Sequence, residues 1–340
     1  MPAIACSAVT LRPGAPESVN THRPVMLEAA LAGLAVREGG IYVDATYGRG
    51  GHSAEILKVL GETGTLHAFD QDPQACADAR QQFGVRPNFH IHSANFDQLG
   101  TVARDGGWAG KSSGVLFDLG VSSPQLDDAS RGFSFMRAGP LDMRMNPQAG
   151  IPASQWLAEA EESEIADVLW RLGEERHSRR IARAIVSARA ETPINTTTEL
   201  AELIGRVMPG PRQKIHPATR SFQAIRLFIN HELDALAAAL HQAVEALAPG
   251  GRLVVISFHS LEDRIVKRFI RDTSTDGEGD EAAAQVLPSR FSRLTAPKPR
   301  HLALKAVSRH FPDDEEVAIN PRARSAVLRV AEKSSTGAAE

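Results

Sequence analysis

Three aspartates and one glycine-rich loop stand out in this 340-residue chain as groups whose types and spacing suit chemistry. Asp44 follows the β-forming run Ile41-Tyr42-Val43 and precedes Gly48-Arg49-Gly50-Gly51, a loop with almost no side-chain bulk. Asp70 closes a second apolar run, Gly64–Phe69, and Asp118 lies near the end of another, Gly114–Leu119. A strand, a glycine loop and a helix in succession offer bare backbone N–H groups and a helix N-terminus to an anionic ligand. Such a loop also lets a flat cofactor approach the main chain closely. In open α/β sheets, ligands bind beyond the C-terminal strand ends, where strand order reverses. Three acids at three such ends therefore suggest one site. Taken singly, each aspartate reads equally well as a helix or turn cap.

Two cofactors use this layout. The dinucleotide fingerprint requires G-x-G-x-x-G; Gly48 and Gly50 fit it, but Ser53 stands in the third place. Asp70 suits either a dinucleotide or S-adenosylmethionine, since both have a ribose diol to hold. Asp44 tips the reading towards S-adenosylmethionine. A carboxylate there repels a pyrophosphate but attracts an ammonium and a sulfonium. An NAD-type oxidoreductase is the competing reading. A non-catalytic RNA-binding protein built on a methyltransferase fold is another.

These groups need elements to hold them. His22–Leu34 and Ser53–Leu60 read as amphipathic helices. Asp72-Pro73 starts a further helix, with Asp72 as its cap and Pro73 in its first turn. Asn88–Ala94 reads as a third strand and Gly251–Phe258 as a later one, followed by a helix capped within Ser260–Asp263. Ser325–Ala331 looks like a last strand. Strands alternating with helices argue for a mostly parallel, doubly wound sheet. From Ser154 to about Ala248 the pattern is helical almost throughout, with a capping box at Thr196-x-x-Glu199 and a break at Gly210-Pro211. The stretch 272–284 is acidic and weakly hydrophobic and reads as a flexible loop. The expected organisation is a tail at 1–20, an α/β domain formed by 21–135 and 240–332, a helical insertion at 136–239 and a tail at 333–340.

The bulk numbers narrow the class. With 42% hydrophobic and 23% charged residues the chain can bury a full core. No apolar run approaches the ~18 residues of a membrane span, and residues 1–20 lack the basic and apolar regions of a signal peptide. Cys6 and Cys76 form neither a metal-ligand pattern nor a disulfide framework, which fits a reducing, cytoplasmic setting. The net charge of −3 means that any nucleic-acid site must be local. One local excess exists: eleven Lys and Arg stand against five Asp and Glu between Arg171 and Arg226. Arg176, Arg179, Arg180 and Arg183 fall on one helical arc, with Ile181, Ile185 and Ala188 opposite. Such a face suits RNA phosphates, although a solvated helix face has the same composition. The stretch Arg290–Arg309 is another basic cluster open to both readings.

Several long motifs coincide with a known family. GRGGHS at 48–53, DLGVSSPQLDDASRGFSF at 118–135, GPLDMRM at 139–145, HPATRSFQA at 216–224, PGGRLVVISFHSLEDRIVKRF at 249–269 and NPRARS at 320–325 resemble the bacterial ribosomal RNA small subunit methyltransferase H family. Members of that family are cytosine-N4 methyltransferases acting on 16S rRNA. The resemblance runs from about His22 to Ala331. It implies a class I (Rossmann-like) methyltransferase fold with a helical insertion as an RNA-recognition domain. It also implies S-adenosylmethionine as cofactor, 16S rRNA of the small ribosomal subunit as partner, and a cytidine in the decoding region as target. Carried over by position, Gly50, Gly51 and His52 line the methionyl end of the cofactor, Asp70 holds its ribose, and Phe96 lies near its adenine. Asp118 and Gln125 complete the pocket.

The chemistry expected at the base follows from cytosine itself. Its exocyclic amine is a poor nucleophile because the lone pair is delocalised into the ring. Hydrogen-bond acceptors around the N–H groups encourage pyramidal geometry. Many amino-methyltransferases carry a D/N-P-P-aromatic turn for this purpose. Here that place reads Asp118-Leu119-Gly120-Val121, followed by Ser122-Ser123-Pro124. Asp118 and the backbone carbonyls of 119–124 are the candidate acceptors. The aromatic is missing, and Phe133 and Phe135 are the candidates to stack the base. No metal is required, because a sulfonium is already a good leaving group.

Overall fold

The computed structural model describes residues 23–208, 216–274 and 304–335. The break at Gly210-Pro211, the 1–20 tail, and most of the 272–284, Arg290–Arg309 and 333–340 stretches lie outside the described residues. Seven strands form one sheet: β1 Ile41–Asp44, β2 Thr65–Asp70, β3 Phe89–Ser93, β4 Ser112–Asp118, β5 Leu247–Ser257, β6 Leu304–His310 and β7 Val327–Lys333. Their order is β3-β2-β1-β4-β5-β7-β6. The first five run parallel, β7 is antiparallel to β5, and β6 is antiparallel to β7. Strand order reverses between β1 and β4, where Asp44 pairs in register with Leu116. The fold is the doubly wound, class I arrangement expected from the alternation of elements.

Residues of alternate parity bury on opposite faces of the sheet. Tyr42, Leu66, Ala68, Leu116, Val254 and Ile256 pack with the helices α1 Leu27–Leu34, α2 Gly51–Leu60 and α3 Pro73–Phe83. Val43, Phe69, Val115, Phe117, Leu253 and Val255 face the other way, where α4 Leu99–Asp105 lies. A parallel sheet covered on both sides must be apolar at nearly every strand position.

After β4 the chain leaves the sheet. It forms α5 Ser123–Asp127, α6 Ala153–Glu159, α7 Glu162–Gly173, α8 Ser178–Glu191, α9 Thr197–Val207 and α10 Thr219–Ile229. Helices α6–α10 share a core of their own with the segment Phe133–Met145. Leu169, Ile185, Leu200, Ile204 and Ile225 are fully buried there, each contributing about 1.5–3 kcal/mol. Gly173 permits the close crossing of α7 and α10, since a Cβ there would lie 2.7 Å from the Arg220 carbonyl oxygen. The chain then returns through α11 Glu232–Ala246 and α12 Ser260–Thr273, and α13 Asp314–Ile319 follows β6. Leu236, Ala239, Leu240, Ala243 and Val244 bury α11 against the sheet on both sides of position 239.

Several expected elements shift for identifiable reasons. The first helix begins at Leu27 rather than His22, because Met26 is in the left-handed region at φ 52°. The helix after the loop begins at Gly51, with Gly50 at φ 73° before it, so Gly51 belongs to the helix and not the loop. Asp72 caps α3 by accepting from the Gln74 N–H, with Pro73 in the first turn, as expected. The Thr196–Glu199 box also forms. The cap of α12 sits one residue before the expected one. The His259 side chain accepts from the Glu262 N–H, and Glu262 accepts in return from Phe258 and His259. Strand β6 was not anticipated. It is an edge strand exposed at most of its positions, so no apolar alternation marks it in the sequence.

Candidate active site

The C-terminal ends of β1, β2 and β4 open onto one cavity of about 610 Å³. Asp70 and Asp118 line it, together with Gly48, Gly51, His52, Phe96 and Gln125. Asp70 accepts from the Gly48 N–H at 2.9 Å through Oδ2 and from the Asp72 N–H at 2.8 Å through Oδ1. Burial nevertheless pushes its carboxyl up to about 7, with those two N–H groups opposing the rise. Asp118 stands opposite. Its N–H donates to Thr46 Oγ1 at 2.6 Å, which ties the loop after β4 to the loop after β1. Its Oδ2 lies 3.6 Å from His52 Nδ1, and its Oδ1 has no partner. Burial first, then the charges of Asp44 and Glu262, raise Asp118 well above the usual carboxylate range. His52 is pushed down to about 4 by burial, so its ring is neutral near pH 7, and its Nε2 also lacks a partner.

Two expectations for the loop are corrected. Asp44 does not line the cavity; its oxygens accept from Ser53 Oγ at 2.7 Å and the Thr46 N–H at 3.2 Å. It therefore ties β1 to α2 from beneath. The loop N–H groups are not bare either. Gly48 donates to Asp70 and Gly50 donates to the Tyr47 carbonyl. Gly50 does not line the cavity, and a Cβ on it would lie 2.5 Å from the Tyr47 hydroxyl. Its contribution is the positive φ that starts α2.

Phe96 lies at the cavity wall, edge-on to Phe117 at 5.7 Å. Gln125 is buried with both ends of its amide engaged: Oε1 accepts from the Ser122 N–H and Nε2 donates to Asp72 Oδ2. Arg131 joins the same network. It pairs with Asp72 at 2.7 Å and donates to the carbonyls of Arg144 and Met145. Phe133 and Phe135 are not at the cavity. Phe133 is buried in the helical core, and Phe135 packs against His216 and Phe222. The wall also contains residues to which the sequence assigned no role. Arg226 forms a two-point pair with Glu232, and Asn230 holds Met145 N–H and Met143 carbonyl. Phe258 lies beside Gly120, where an added Cβ would be 3.7 Å from its ring. His259 and Arg322 complete that side. HSLED and NPRARS were the only signals for His259 and Arg322. Arg226 and Glu232 had none, because they meet only through the turn at His231, whose φ is 51°.

A model of the MraW methylase family matches residues 19–334. The chain belongs to this family. It is 54% identical to a Xanthomonas oryzae pv. oryzae protein named ribosomal RNA small subunit methyltransferase H, over 93% of this chain and 90% of that one. Proteins of the same name from Nitrosococcus oceani and Coxiella burnetii are 51% and 50% identical, each over 93% of this chain and 98% and 99% of their own. The protein is thus a methyltransferase, and S-adenosylmethionine is its cofactor.

The residues of this methylase fit that cofactor. Asp44 is pushed up to about 6, Asp70 to about 7 and Asp118 well above the usual range. Among the described residues no Lys or Arg forms an ion pair with any of the three, and His52 is neutral. Desolvated carboxyls without a cation call for a cationic ligand. The same set of charges disfavours a pyrophosphate, which removes the support for a dinucleotide. Among the described residues no helix is long and apolar enough to cross a membrane.

Proposed function

We propose that this methylase transfers a methyl group from S-adenosylmethionine to N4 of one cytidine in the decoding region of 16S rRNA, in the cytoplasm. The observation that carries this reading is Asp118. It is a half-buried carboxylate at the end of β4, on the cavity wall, with its buried Oδ1 unpartnered. That oxygen is what an exocyclic amine needs as a hydrogen-bond acceptor.

When bound, S-adenosylmethionine supplies an electrophilic methyl group on a sulfonium leaving group, so no metal is required. Asp70 takes the ribose hydroxyls, Phe96 the adenine edge, and Gly51 and His52 the methionyl end. Gly50 sets the turn that brings them there, and Gln125 braces the wall through Asp72. Asp118 would accept one N–H of the amine and so turn its lone pair towards the methyl group. Methyl transfer would form the C–N bond as the S–CH₃ bond breaks, and Asp118, held in its charged form by the neighbouring sulfonium, would take the amine proton. Phe258, beside Gly120, supplies the aromatic face that the turn after β4 lacks. A thiol attack on the pyrimidine ring has no support from Cys76, which is buried and donates to the Asp70 carbonyl. Mass spectrometry of 16S rRNA treated with the enzyme should show N4-methylcytidine. A 5-methylcytidine or a methylated 2′-hydroxyl would overturn the reading.

The helical region expected at 136–239, whose own core is that of α6–α10, is the RNA-recognition unit in this reading. A base stacked in folded RNA must be extruded, at a cost of a few kcal/mol, and phosphate contacts can offset it. Arg179, Arg180 and Arg183 are exposed on α8, with Ile181 and Ile185 buried behind them. Arg176 is exposed too but precedes the helix. Replacing Arg179, Arg180 and Arg183 by Gln should raise KM for RNA. It should also flatten the salt dependence by roughly 0.7–0.9 per lost contact. S-adenosylmethionine affinity should stay constant. An unaltered salt slope would make the arc a solvated face.

A further inference from the structure

Helix α12 has a second basic face that the reading above does not use. Val266, Phe269 and Ile270 bury one side of it against the sheet. On the opposite side Arg264, Lys267, Arg268 and Arg271 follow at i, i+3, i+4 and i+7, the spacing of one helix face. Arg264, Lys267 and Arg271 are exposed and Arg268 is half-buried.

The acids nearby leave this face positive. Glu262 is buried in the α12 cap, and Asp263 is held by a two-point pair with Arg329. Arg264 meets Glu174 and Arg271 meets Asp272, both pairs exposed and therefore weak. Among the described residues, Lys267 and Arg268 form no ion pair. Arg271, in the last turn, gains from the helix dipole, but Lys267 in the middle gains nothing.

The face is continuous with the α8 arc. Glu174, just after α7, accepts from Arg264 at 3.1 Å and from Ser260 Oγ at 3.3 Å, and its carbonyl accepts from Arg220 at 3.3 Å. Arg176, Arg179 and Arg180 follow within six residues of it. At the same end the face reaches the cavity, because His259 and Glu262 at the start of α12 are part of the cavity wall. Arg264 to Arg271 spans about 10 Å of helix.

We propose that this α12 face is a second RNA-phosphate track, on the catalytic domain itself, which grips the strand leading to the target nucleotide while the α8 arc holds RNA on the helical side. The proposal rests on the RNA reading of the site. Two tracks meeting at Glu174 would hold the RNA on both sides of the cavity mouth, fixing the extruded base relative to Asp118.

The test is a triple variant, Lys267→Gln with Arg268→Gln and Arg271→Gln, beside a charge-keeping control, Lys267→Arg with Arg268→Lys and Arg271→Lys. Binding is measured against salt with deproteinised 16S rRNA, and again with small subunits from cells lacking the modification. The Gln variant should lose about 2 from the salt slope on deproteinised rRNA. Its KM for RNA should rise about tenfold, with kcat at saturating RNA, melting temperature and S-adenosylmethionine Kd unchanged. The control should keep the wild-type slope. An unchanged slope in the Gln variant overturns the track. A defect seen only with assembled subunits also overturns it, and assigns the face to a ribosomal protein instead. A wild-type enzyme that makes no N4-methylcytidine would instead remove the functional reading, whatever the slope.

Discussion

Asp118→Ala is expected to lower methyl transfer by roughly 10²–10⁴-fold at saturating S-adenosylmethionine, the range for a positioned proton acceptor. Saturation matters, because Asp118 lines the same cavity as the residues proposed to hold the cofactor, and part of a loss at low cofactor would be weaker binding. RNA affinity should change little. Asp118→Asn separates charge from shape. Its amide oxygen can still accept an N–H, but it cannot take the proton, so most of the loss should persist. The same variant carries a stability signature with a definite sign. The folded pKa of Asp118 is raised, so the wild type is most stable below the unfolded carboxylate value and loses that contribution as pH rises through the raised one. Asp118→Asn should therefore melt above the wild type, increasingly so towards alkaline pH. Full activity in Asp118→Asn would remove the carboxylate from the mechanism.

The second large effect concerns the cofactor. Asp70→Ala should weaken S-adenosylmethionine binding at least tenfold in calorimetry, since each hydroxyl-to-carboxylate bond is worth about 1.5–3 kcal/mol. Far-UV circular dichroism should stay native. The pH dependence is a sharper readout. In the free protein Asp70 titrates at about 7. A ribose diol donates to the carboxylate and so favours its charged form. Binding then releases a proton below that value, and affinity falls as pH drops through about 7. Asp70→Asn should flatten this dependence. A variant with wild-type affinity and an unchanged pH profile would place the ribose elsewhere.

The family relationship and this geometry meet at different levels. Identity of 50–54% over nearly the whole chain identifies the reaction class. The three unpaired carboxyls explain why a cationic donor suits the cavity. Asp44 illustrates the difference. By its place in the sequence its charge suits the methionyl ammonium and the sulfonium directly, whereas its oxygens are engaged by Ser53 and Thr46 beneath the cavity. Its charge still adds to the negative field there, since it raises the pKa of both Asp70 and Asp118.

Local sequence was enough for whatever depends on neighbours in the chain. Short apolar runs located six of the strands, because a sheet covered on both faces demands apolar side chains at nearly every position. Asp72 before Pro73, and Thr196 three residues before Glu199, announced helix starts because a cap is satisfied within one turn. Asp70 and Asp118 were legible as neighbours on one cavity because strand ends converge at the switch point of any such sheet. The contacts between distant segments were decided only by the tertiary structure. Gln125 and Arg131 meet at Asp72, Asn230 clamps Met143 and Met145, and Phe258 comes to lie beside Gly120. The exposed edge β6 and the His259 cap also escaped the sequence reading. The physical reason is the same throughout. Periodicity and capping record which face of an element is buried, whereas the side chain met across 50 or more residues is set by how whole elements pack.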